Sequence, residues 1–150
     1  MGRIRLLIAD DDAGFRATLR SLLTQQAGAE ILGEAADGSE ALRLAEALRP
    51  DALLMDLVMP RMNGLEVVRA LRARGPRPAV IILTVHDEAV YRRTAAAAGA
   101  AAYLEKKLLG TDLWPTVLRV LAGESRPFPT APEAPRGLER KDTVDKAGRV

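Results

Sequence analysis

At 150 residues, 48% hydrophobic and 28% charged, the chain has room for one domain with a sizeable core, and no apolar run approaches the ~20 residues that span a bilayer. It has no cysteine, which excludes a disulfide framework or thiolate site, and "MGRIRLLIADDD" has no signal-peptide pattern, so a cytoplasmic home is expected. The net charge of +2 arises in residues 126–150, which carry 6 basic and 4 acidic side chains against 16 and 16 in residues 1–125, so no basic face for nucleic acid is expected.

Apolar runs of strand length alternate with segments of helical period. The first candidate strand, Arg3–Ala9, runs into three consecutive aspartates, Asp10, Asp11 and Asp12. At ~4 Å and a near-surface dielectric, two adjacent ionised carboxylates repel by ~4 kcal/mol, so this cluster needs a partner of opposite charge. "AGFRATLRSLLTQQ" follows with Phe15, Leu19, Leu22 and Leu23 on one face, and Asp12 stands where an N-cap belongs. Glu30–Ala35 is the second strand and "SEALRLAEALR" the second helix. Asp51–Met55 leads to Asp56, after which Met59–Pro60 breaks the strand. Asn63–Gly64 supplies turn chemistry before "GLEVVRALRARG". Ala79–Thr84, "EAVYRRTAAAAG" and Ala101–Glu105 complete the alternation. Pro115 in "TDLWPTVLRVLAG" predicts a last helix that begins near Asp112, with the proline in its first turn and Trp114 on the strand-5 side.

Five βα units with strands apolar on both faces argue for an α/β fold, a doubly wound five-stranded parallel sheet with helices on both faces. From Ser125 the pattern stops. Residues 125–150, with four of the nine prolines, read as a flexible Pro- and charge-rich tail behind a domain of residues 1–124.

In such a sheet the carboxyl ends of the strands meet at one rim, where ligands bind. That rim gathers Asp10 and Asp11, Asp56, Thr84 and Lys106 from four strands. The set suits phosphoryl transfer. Carboxylate oxygens with open positions suit Mg²⁺, an aspartate can form an acyl phosphate, and an ammonium and a hydroxyl can hold phosphoryl oxygens. Lys106 gains weight because only four lysines stand against eighteen arginines.

On these residues, with "MDLVMPRMNG", the "LT" that ends strand 4 and "GAAAYLEK", residues 3–124 resemble the receiver (CheY-like) domain of bacterial two-component response regulators. The resemblance implies strand order 2-1-3-4-5. It implies that Asp56 accepts a phosphoryl group from a sensor histidine kinase or phosphotransfer protein. Asp10, Asp11, Asp56 and the backbone carbonyl of Val58 would hold Mg²⁺. Thr84 and Lys106 would contact the phosphoryl group, and Tyr103 would turn inward on activation. A downstream protein would dock on the helix 4–strand 5–helix 5 face, and a phosphorylation-linked dimer is left open. "LRVLAGE" is similar to receivers of the NarL/LuxR-type subfamily, which continue into a helix-turn-helix domain; none is expected here, so no direct nucleic-acid contact and no membrane contact are expected. Departures from the family pattern are Val85 in place of a small residue, Val58, which cannot orient a hydrolytic water, and His86 near the mouth. All three would tune phosphoryl lifetime.

The expected function is a phosphorylation-gated signalling switch that catalyses only its own phosphorylation and dephosphorylation. A phosphorylation-independent interaction module is the alternative. A metal-dependent phosphohydrolase would commonly carry an acid at position 58, and a dinucleotide enzyme would need a glycine-rich turn after strand 1.

Overall fold

The computed structural model describes residues 2–85 and 88–123. Among them β1 (Ile4–Ala9), α1 (Ala13–Thr24), β2 (Ala29–Ala35), α2 (Gly38–Leu48), β3 (Ala52–Asp56), α3 (Gly64–Arg74), β4 (Ala79–Thr84), α4 (Ala89–Ala98), β5 (Ala102–Glu105) and α5 (Leu109–Leu121) alternate strictly. The strands are all parallel in the order β2-β1-β3-β4-β5. His86 and the tail at 125–150 lie outside the described residues, and no helix among the described residues is long and apolar enough to cross a membrane.

Because side chains alternate across a strand, each strand feeds two cores. Leu7, Leu53, Met55, Val80, Ile82 and Tyr103 face α2, α3 and α4. Leu6, Ile8, Leu54, Ile81 and Leu83 face α1 and α5, meeting Leu19, Leu23, Leu113 and Val117. This double burial is why "LLI", "ALLM" and "VIIL" carry no polar alternation. It also fixes the register, since a one-residue slip would exchange the two faces.

Local signals set the helix starts. Asp12 caps α1, with its carboxylate accepting N–H bonds from Gly14 at 2.9 Å and Phe15 at 3.2 Å. Asn63 caps α3 in a reciprocal pair with Glu66, at 3.0 Å and 2.9 Å, so at the Asn63–Gly64 step the chain enters the helix through a capping box, and the tight turn expected there lies earlier, at Pro60–Met62.

The last helix corrects the sequence expectation. It begins at Leu109, directly after a 3-10 turn at Lys106–Leu108, and Pro115 lies in its interior. The apolar stripe Leu109, Leu113 and Val117 outweighs the proline's lost N–H bond, because burying each large side chain is worth ~1.5–3 kcal/mol. Pro115 and Thr111 are both exposed, so water can reach the carbonyl left unbonded. Trp114 is half-buried on the α1 side of α5, its ring 3.5 Å from where a Gly28 side chain would begin, rather than at the strand-5 edge.

Candidate functional site

The carboxyl ends of β1, β3, β4 and β5 open onto one rim. Asp10, the residue after β1, is 1% exposed. Its Oδ1 accepts the Asp12 N–H at 2.8 Å and its Oδ2 accepts from Lys106 Nζ at 2.6 Å. Asp10 thus ties the start of α1 to the residue that follows β5. Asp11, beside it, is exposed.

Asp56 ends β3, its Oδ1 accepting the Leu57 N–H at 2.8 Å and its Oδ2 standing 3.7 Å from Lys106 Nζ. One carboxylate oxygen from each of Asp10, Asp11 and Asp56 lies within 4.8 Å of the others. Burial pushes the Asp56 carboxyl up to about 6 from its ordinary 3.8. Lys106 opposes that rise, the charge of Asp10 adds to it, the Leu57 N–H opposes it and Asp11 adds to it. Three carboxylates facing one ammonium leave the rim short of positive charge. Hard oxygen donors in that state match a divalent cation such as Mg²⁺.

The loop that carries Val58 away from Asp56 is tightly held. Gly64 N–H donates to the Leu57 carbonyl at 2.8 Å, and a side chain at Gly64 would begin 2.7 Å from the Asp56 carbonyl oxygen. Arg61 takes a left-handed φ of 68°, with Met62 N–H donating across it to the Pro60 carbonyl at 2.8 Å, a γ-turn hydrogen-bond pattern. An ion pair from Arg61 Nε to Asp37 Oδ2 at 3.1 Å fastens this strained turn to the start of α2.

The other sequence-predicted residues fall as follows. Thr84 is fully buried at the end of β4, one residue beyond Leu83, the register partner of Asp56. Val58 and Val85 are both exposed, at 55% and 74%. Tyr103 is 2% exposed, in the core beneath α4, with the Arg92 guanidinium carbon 4.7 Å from its ring centre. Sequence reasoning had no part for Arg92. It also missed Phe15, whose ring centre lies 4.0 Å from Lys106 Nζ, and Arg16, whose guanidinium donates to the Asp10 carbonyl and to Glu34. Phe15 could have been found from its place three residues after the capping Asp12, because helical side chains lean back toward the helix start.

Residues 6–117 match the response regulator receiver domain family. The chain is 39% identical over 113 residues to the transcriptional regulatory protein PdtaR of Mycobacterium tuberculosis, covering 75% of this chain and 54% of that protein. It is 38% identical over 125 residues to the transcriptional regulatory protein LiaR of Bacillus subtilis, covering 82% and 58%. The chain therefore spans little more than half the length of these two relatives. Among solved structures, the signal receiver domain of a NarL response regulator from Mycobacterium tuberculosis superposes with a TM-score of 0.79 at 33% identity, covering 83% of this chain and all of that one. Parallel order 2-1-3-4-5, an acidic rim and this breadth of similarity agree: the chain belongs to the response regulator receiver domain family, the signalling domain of two-component systems, with the CheY-like fold and NarL/LuxR-type relatives.

Proposed function

We propose that the protein is a phosphorylation-gated switch in which Asp56 accepts a phosphoryl group from the phosphohistidine of a sensor kinase or phosphotransfer protein. The observation that carries this reading is the meeting of Asp10, Asp11, Asp56 and Lys106 at one rim, with one ammonium shared between two carboxylates. An ionised Asp56 oxygen attacks phosphorus, the bond from phosphorus to the histidine nitrogen breaks, and an acyl phosphate forms while the histidine leaves neutral after taking a proton. Asp10, Asp11, Asp56 and the Val58 carbonyl would hold Mg²⁺, which supplies positive charge against the phosphoryl oxygens. Lys106, 3.7 Å from Asp56 Oδ2, is placed to add an ammonium to that charge, and Thr84 would offer a hydroxyl once the phosphoryl group is present. The pair Asp10–Lys106 keeps the ammonium at the rim before any phosphoryl group arrives.

Signalling then passes by protein contact through the face built from α4, β5 and α5, with residues 1–124 acting as the receiver and 125–150 as an appended tail. Incubation with Mg²⁺ and a small phosphodonor should add one phosphoryl mass to the wild type and none to Asp56→Asn. An unmodified wild type, or equal modification of both, refutes the reading. The interaction-module alternative is favoured only if partner binding is indifferent to Asp56→Asn.

A further inference from the structure

Phe15 is the third residue of α1, and its N–H is held by the capping carboxylate of Asp12. Its side chain leans toward the rim, and its ring lies against the Lys106 ammonium at 4.0 Å. The ammonium therefore has three walls. Asp10 Oδ2 stands at 2.6 Å, Asp56 Oδ2 at 3.7 Å, and the ring closes a further side. An ammonium on a four-carbon stem has no rigid fork to orient it, so its surroundings must do so. The ring differs from a third carboxylate in what it leaves available. A π face attracts a cation through its quadrupole without supplying a counter-charge, so the ring neutralises no more of the ammonium than Asp10 and Asp56 already do.

We infer that Phe15 is a positioning residue for phosphoryl transfer, its ring holding the Lys106 ammonium toward the oxygens that arrive at Asp56. This rests on the reading of Asp56 as the acceptor. The chain of causes begins at the aspartate cluster: Asp12 caps α1, the cap sets Phe15, and Phe15 sets Lys106. Phe15 exchanges no proton and also packs against the core on the α1 side, so its effect on transfer is separated from its packing by a variant that keeps apolar bulk without the ring.

The test compares Phe15→Leu, which keeps apolar bulk, with Phe15→Tyr, which keeps the π face, each in the wild-type and Lys106→Met backgrounds. Phosphorylation rates with a small phosphodonor at saturating Mg²⁺ should fall about three- to tenfold in Phe15→Leu and stay within about twofold in Phe15→Tyr. In the Lys106→Met background Phe15→Leu should change nothing further. The Lys106 ε-methylene proton resonances should be ring-shifted upfield in the wild type and Phe15→Tyr and lose that shift in Phe15→Leu, whether or not the chain is phosphorylated. Wild-type rates in Phe15→Leu, equal slowing by both variants, the same slowing without Lys106, or unshifted resonances in the wild type each overturn the positioning role. A wild type with the ring shift that takes up no phosphoryl group overturns the acceptor reading, and the transfer role with it.

Discussion

Replacing Asp56 by asparagine should stabilise the metal-free protein at neutral pH. The amide keeps the shape and still accepts the Leu57 N–H, while the charge that burial opposes is gone. Raising the carboxyl from 3.8 to about 6 corresponds to ~3 kcal/mol at ~1.4 kcal/mol per pH unit. Because the rim is open to water on one side, a gain of ~1–2 kcal/mol is expected. The sign follows from proton linkage. Between about pH 4 and about pH 6 the folded state holds more protons than the unfolded one, so wild-type stability falls as pH rises through that window. Above it the cost is fully present; below it the two proteins converge. Urea unfolding in a chelator should show Asp56→Asn ahead at about pH 8 and level with wild type near pH 4. Millimolar Mg²⁺, binding the folded wild type, should narrow the gap. An Asp56→Asn protein less stable than wild type at about pH 8, or a gap independent of pH, would refute the reasoning.

Two further substitutions probe the surroundings. Gly64→Ala forces a methyl to within 2.7 Å of the Asp56 carbonyl and 2.9 Å of the Leu57 carbonyl, both backbone atoms, and should cost ~1–3 kcal/mol in urea unfolding. Glu34→Gln breaks ion pairs to Arg20 at 2.6 Å and Arg16 at 3.1 Å. The bond from Arg20 is the main reason the Glu34 carboxyl sits below its usual range, against a smaller opposing push from burial. A lowered folded value means the stabilisation is present above the unfolded value of about 4.5 and is lost as pH falls through the folded one. The variant should therefore lose ~0.5–1 kcal/mol at about pH 7, with the deficit closing in acid. A loss that persists at acid pH would place the effect in packing.

The fold was legible because burial on both sides of a parallel sheet leaves a plain signature. Uninterrupted apolar runs such as "VIILT" and "ALLMD" alternate with helical stripes. The rim was legible for a related reason. In an open parallel sheet the strand-end positions share one edge, so Asp10, Asp56 and Lys106 could be placed together from order alone. What was missed depends on forces local reading does not weigh. The start of α5 was set by the apolar stripe from Leu109, stronger than the proline rule that pointed to Asp112. Trp114 faces α1 because that same stripe fixes the helix rotation. Phe15 and Lys106 meet only after β1 and β5 are brought to one rim, so no short stretch of sequence contains their contact. Arg92 above Tyr103 is a similar case, joining α4 to the strand beneath it.

Position-specific chemistry at the rim tests the central claim most directly. The protein is treated with a small phosphodonor and Mg²⁺, the acyl phosphate is reduced with borohydride, and the digested chain is mapped by mass spectrometry. Conversion of the aspartate at position 56 alone, slowed but still measurable in Lys106→Met and abolished by Asp11→Asn, is the predicted result. Conversion at Asp10 or Asp11, or none at position 56, would contradict it.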